Sequence, residues 1–211
     1  MIKSKVVILI LLLTGVCISI INPLYPTEMF LQHSATLLAV GFMVYDIKKN
    51  SISLYAFTML AFFILFHAIG ARWIYSFVPY DQWFATVTGL SLNDLFGWDR
   101  NHYDRFVHFA YGILFFPVFY ELSKSQLKIS PKKAVLFAFL FIQTFSMVYE
   151  LFEWGLTFML SPEGVENYNG QQGDVWDAQK DMALALVGSL IYASGILLVL
   201  GIRKKRRKPN L

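Results

Sequence analysis

The side chains able to do chemistry in this 211-residue chain gather in three short stretches. The first is Arg100-Asn-His-Tyr-Asp-Arg-Phe-Val-His108. Asp104 and His108 stand four residues apart and Tyr111 follows three further on, so a helix puts all three on one face. The second is Tyr149-Glu-Leu-Phe-Glu-Trp154, where Glu150 and Glu153 share a face by the same spacing. The third is Gln172-Gly-Asp-Val-Trp-Asp-Ala-Gln-Lys-Asp181. Asp177 and Asp181 lie one helical turn apart there, and Asp174 or Asp177 can cap the positive start of that helix. Imidazole and carboxylates at such spacing on several helices form the donor set of zinc or a harder divalent ion. A bound ion would offset the surplus of acids and activate a water for hydrolysis.

This reading makes His108, Asp104, Asp177 and Asp181 the candidate metal ligands. It makes Glu150, Glu153 and Asp104 the candidate catalytic carboxylates, with Glu150 as the deep base. His67, Arg105, Arg72 and Asp174 fall in a second rank. The cofactor is open beyond a divalent metal such as zinc, and no HExxH motif is present. Two other uses of the same groups stay open. Glu150, Glu153, His67 and His108 can pass protons in an ion-coupled transporter. All of the cluster can also be polar glue between helices, at about 0.6 kcal/mol per bond.

The elements that must position these residues are membrane helices. The chain is 56% hydrophobic and 15% charged, against roughly 25% charged in soluble domains. Its apolar residues come in blocks near the ~20 residues that cross a hydrocarbon core. Six spans are predicted, at residues 6–21, 28–45, 53–77, 104–121, 134–160 and 179–202. Asn22-Pro23, Pro26, a polar turn at 46–50, Pro131 and Ser161-Pro162 separate them. The first span reads as a retained helix, because no small-x-small cleavage site follows it. Cys17, the single cysteine, cannot form an intramolecular disulfide. The fold class is therefore all-α, polytopic, with one six-helix unit over 1–202 and a basic cytoplasmic tail over 203–211.

Of 18 basic residues, 14 fall at the N-terminus, the 46–50 turn, the 122–133 loop and the tail. The positive-inside rule puts both termini in the cytoplasm. The net charge of +4 thus marks orientation and attraction to anionic lipid, which is the expected partner, rather than nucleic acid. Twelve of the 14 acidic residues, and every tryptophan (Trp73, Trp83, Trp98, Trp154 and Trp176), map to the outer half. An outer segment over 78–103 is expected to lie on the membrane surface as an amphipathic piece. Glu150 is placed roughly 15 Å deep by helical rise, where a lone charge costs upwards of about 2.5–3.5 kcal/mol. Arg72 is expected to snorkel to the interface and Glu121 to sit alone at the opposite one.

Taken in order, Arg100-Asn-His-Tyr-Asp-Arg-x-x-His108, Tyr149-Glu-x-x-Glu-Trp154 and Gln172-Gly-Asp-x-Trp-Asp-x-Gln-x-Asp-Met182 resemble the YjdF family of bacterial inner-membrane proteins. The resemblance covers most of the chain. It implies a bacterial inner-membrane location and supplies no established activity or catalytic residue. A weaker likeness is to VanZ-type membrane proteins, which are linked to glycopeptide-antibiotic tolerance. Asp104-Arg105 with His108, then Glu150, then Asp181 with Gly188 follow that pattern, whereas Ala185 stands where it has Asn.

Overall fold

A computed structural model describes residues 1–206 of the chain. The order is α1 (Ile2–Ile20), α2 (Pro26–Lys49), α3 (Leu54–Arg72), α4 (Tyr80–Thr88), α5 (Leu92–Phe96), α6 (Tyr103–Leu114), α7 (Phe116–Gln126), α8 (Pro131–Leu156), α9 (Pro162–Asn169) and α10 (Asp177–Arg206). Among the described residues there is no strand. The six expected spans are present as α1, α2, α3, α6 with α7, α8 and α10, each long and apolar enough to cross a membrane. The fourth span breaks between α6 and α7 because Pro117 has no N–H for the carbonyl four residues back. The spans alternate in direction. The starts of α2, α6 and α10 therefore share one end of the bundle with the ends of α1, α3 and α8. That end also carries α4, α5 and α9 and is called the loop end below.

Four sequence expectations need correction. The third span stops at Arg72 rather than at residue 77, because the chain turns on Ile74 and Tyr75, both left-handed at φ 42° and 58°. Left-handed backbone is costly for a β-branched residue, and here it folds Tyr75 back under the helix, its N–H bonded to the Gly70 carbonyl at 2.8 Å. Gly70 is required: a Cβ there would lie 2.6 Å from the Tyr75 ring. The polar turn at 46–50 is mostly helix, since α2 runs to Lys49 and closes on left-handed Asn50. Glu121 is not alone, for its carboxylate accepts from the Ser53 N–H at 2.5 Å and the Ser53 hydroxyl at 2.7 Å, anchoring the N-cap of α3. Residues 203–206 of the expected tail continue α10, and its remainder, 207–211, lies outside the described residues.

Packing explains why the loop end is polar. Along α6, Asp104 and His108 are followed one turn later by Gly112; along α10, Asp177 and Asp181 are followed by Ala185 and Gly188. One stripe on each helix thus begins acidic and ends small. The small ends touch at backbone distance: a Cβ on Gly112 would lie 2.3 Å from the Ala185 carbonyl oxygen, and one on Gly188 2.4 Å from that of Phe109. Small residues permit such close approach in membrane helices. The approach then forces the acidic ends together. At the opposite end Lys5 and Asp46, both 0% exposed, pair at 2.5 Å. Lys5 also donates to the Ile52 carbonyl at 2.6 Å, and Asp46 accepts from the Ser51 and Ile52 N–H groups.

Candidate functional site

At the loop end the close contact of α6 and α10 brings Asp104, His108 and Asp181 together, one donor atom from each lying within 4.8 Å of the others. His108 Nε2 is 3.6 Å from Asp104 Oδ1, and its Nδ1 is 3.7 Å from Glu150 Oε1 on α8. The imidazole therefore stands between two carboxylates from different helices. Asp181 is 2% exposed and Glu150 7%. Asp181 Oδ1 and Glu150 Oε1 are buried without a hydrogen-bond partner, and so are the Tyr111 and Ser146 hydroxyls. Among the described residues no lysine or arginine pairs with Asp104, Glu150 or Asp181.

The cations nearby are engaged elsewhere. Arg100 reaches Asp177 Oδ1 at 2.7 Å and the Gln171 carbonyl at 2.9 Å. Arg105 pairs with Asp174 and lies 3.5 Å from Asp177. Lys180 bonds Asp174 at 2.5 Å. The Lys180 bond, with the Trp176 N–H and Arg105, holds the Asp174 carboxyl at about 2. His102, beside Arg105 and Arg100, is lowered by burial first and by those charges second. Asn101 and Gln172 tie the same segments: the Asn101 N–H donates to Gln172 Oε1 at 2.9 Å, and Gln172 Nε2 to the Asn101 carbonyl at 3.1 Å. The first and third sequence stretches thus form one joint over the centre.

A cavity of about 320 Å³ lies against this centre. Asp104 and His108 form part of its wall, with His67, Tyr75, Tyr111 and Tyr149; the remainder is mostly apolar, from α2, α3, α7 and α8. His67 uses both nitrogens. Nε2–H donates to the Gln32 carbonyl at 3.0 Å, and Nδ1 accepts from the Tyr75 hydroxyl. Burial pushes the Tyr75 phenol up, which keeps it a donor. His67 is therefore a fixed neutral wall rather than a free ligand. Tyr149 donates to Gln32 Oε1 at 3.4 Å, bridging α8 to α2 above the cavity.

The placement of the candidate residues divides them. Asp104, His108, Asp181 and Glu150 meet. Asp177 is one turn nearer the loops, with its carboxylate on Arg100 and Arg105. Glu153 is half-buried one turn beyond Glu150. Asp174 and Arg105 belong to the joint over the centre. Arg72 leaves the site altogether: it donates to the Ile18, Ser19 and Ile21 carbonyls that end α1, with its guanidinium 4.9 Å from the Trp73 ring centroid. Sequence reading missed Tyr75, Gln32, His33 and the clamp role of Arg100. Gly70 within an apolar span was the available signal for Tyr75. His33, which sits between Ser19 and Thr36, gave none.

A protein-family model described as "Predicted membrane protein (DUF2238)" matches residues 4–203. The Escherichia coli K12 protein named "Inner membrane protein YjdF" is similar, 32% identical over 142 residues. That stretch covers 64% of each chain, so the match spans a little under two thirds of the relative's length. No solved structure matches the chain.

Proposed function

We propose that this chain, which belongs to the DUF2238 family of predicted membrane proteins, is a multi-pass protein of a bacterial inner membrane that holds a divalent cation between Asp104, His108 and Asp181 and uses it on a lipid or lipid-linked substrate. The inner-membrane assignment rests on the name of the E. coli relative and the six apolar spans. The distribution of lysine and arginine favours both termini inside, which sets the loop end outward.

One observation carries the reading: three carboxylates surround one buried imidazole, and among the described residues no lysine or arginine pairs with them and two of their oxygens have no partner. Interhelical glue would satisfy such groups, because an unpaired buried acceptor costs about 1–3 kcal/mol. A cation would satisfy Asp181 directly and would hold His108 with its Nδ1–H toward Glu150. Tetrahedral ligands at about 2.1 Å from zinc stand about 3.4 Å apart, close to the 3.6 Å between His108 Nε2 and Asp104 Oδ1. Glu150, facing the other nitrogen, takes the place of the carboxylate that fixes the tautomer of a metal-bound histidine. It acts through His108 in this reading. The cation would supply a water acidified to near neutral pH and polarise a substrate carbonyl or phosphoryl oxygen.

The test is metal content. Protein purified in detergent from zinc-replete cells is expected to carry about one divalent ion per chain by mass spectrometry. Asp181→Asn and His108→Ala should lose it while keeping the wild-type elution profile. A folded wild type that stays at background after incubation with zinc, manganese or magnesium overturns the proposal.

A further inference from the structure

The cavity beside the centre does not end with its polar wall. Ala35, Ala39, Phe115 and Phe119 line it and also line a second, wholly apolar cleft that continues along α2, α3 and α7 past Val118 to Leu122. Its side between α2 and the α7–α8 pair is thinly closed. α2 packs chiefly on α1, α3 and α9, and small Ala35 and Ala39 stand where larger side chains would fill the gap. The Tyr149–Gln32 bridge joins α2 to α8 above this opening, at the loop end. Next to it, outward Leu37 is exposed at the surface that meets hydrocarbon, and Leu38 is exposed on the rim of the second cleft.

We infer that this cleft takes one linear hydrocarbon chain of a lipid, which enters sideways from the bilayer between α2 and α8 with its polar end at Asp104 and His108. The inference names the substrate class of the centre proposed above and rests on that reading for its chemistry. The geometry argues for a chain. From His108 to Leu122 is 14 residues, about 21 Å at 1.5 Å of rise each. Half of a ~30 Å hydrocarbon core is about 15 Å, so the cleft runs past the midplane and is long enough to hold the whole of a single leaflet's chain. Its walls past Phe115 offer no polar side chain to a headgroup, while its upper end offers His108, Asp104, Tyr111 and Ser146. A small polar solute would find partners only at the top, and a lipid chain uses the whole length.

Two photoactivatable palmitates test this, one with its diazirine near the carboxylate and one near the methyl end, each incubated with the full chain in lipid nanodiscs. The first should label peptides containing Phe63 or Tyr111, and the second those containing Phe42, Val118 or Leu122. Ala39→Trp, which fills the cleft, should cut both yields at least ten-fold. Ala35→Phe serves the same purpose should Ala39→Trp fail to assemble. Equal labelling of outward Leu37 by both probes, insensitive to either filled variant, overturns the inference even where metal is bound. Ordered labelling in a chain that holds no metal sustains the cleft and sinks the metal centre instead.

Discussion

Glu150→Gln separates a metal-orienting carboxylate from a structural one. Glu150 is 7% exposed, its Oε1 is 3.7 Å from His108 Nδ1, and that oxygen has no hydrogen-bond partner. Removing an orienting partner behind a metal-bound histidine typically weakens metal affinity 10–100-fold. The 3.7 Å separation exceeds the usual hydrogen-bond range, so the effect belongs at the low end, about ten-fold or 1.4 kcal/mol. Asp181→Asn removes a proposed ligand and should cost more than 100-fold. The assay is zinc titration by calorimetry on detergent-solubilised protein stripped with chelator, alongside thermal unfolding of the stripped form. Glu150→Gln loses a buried acid without losing a good hydrogen bond, so the stripped variant should melt no lower than wild type. Glue predicts the reverse pattern: unchanged affinity and a lower melting temperature. Affinity within two-fold of wild type for Glu150→Gln would refute the orienting role.

Three further outcomes follow from the same geometry. Gly112→Ala sets a methyl 2.3 Å from the Ala185 carbonyl oxygen; prying α6 from α10 should destabilise the protein by about 1–3 kcal/mol, read as a lower unfolding midpoint with reduced metal retention. Lys5→Ala strands fully buried Asp46 and should cost about 3–5 kcal/mol, measured by denaturant titration in detergent, with the loop-end centre still able to bind metal. The clamp at Asp174 sets a pH window. Its folded value, about 2, is below the ordinary aspartate value of 3.8, so the stabilisation is present above pH 3.8 and lost as pH falls through 2. Hydrogen exchange over residues 170–176 should accordingly show opening that stays constant from pH 7 to 4 and rises only below that, whereas Asp174→Asn should open the segment at every pH.

The length and apolarity of its segments settled the class of this protein before any coordinates. A chain with blocks of about 20 apolar residues must satisfy its backbone polar groups internally, so six helices were legible, as was the gathering of Asp104, His108, Glu150 and Asp181 on faces that could meet. The i, i+4 spacing fixed which residues share a helix face. It said nothing about which face meets which neighbour. That was decided by Gly112, Ala185 and Gly188, whose missing side-chain bulk lets α6 and α10 touch and draws His108 to Asp181. Tertiary structure also decided what the other candidates bond to: Arg72 went to the end of α1, His67 to Gln32 and Tyr75 in the cavity wall, and Asp177 to Arg100. Lys5 and Asp46 show the same limit, since two charges 41 positions apart look like solvated flanks in one dimension and become a sealed pair in three. Spacing along a helix is local and covalent, hence readable; the partner of a charge depends on which backbones can approach, and only the packed bundle specifies that.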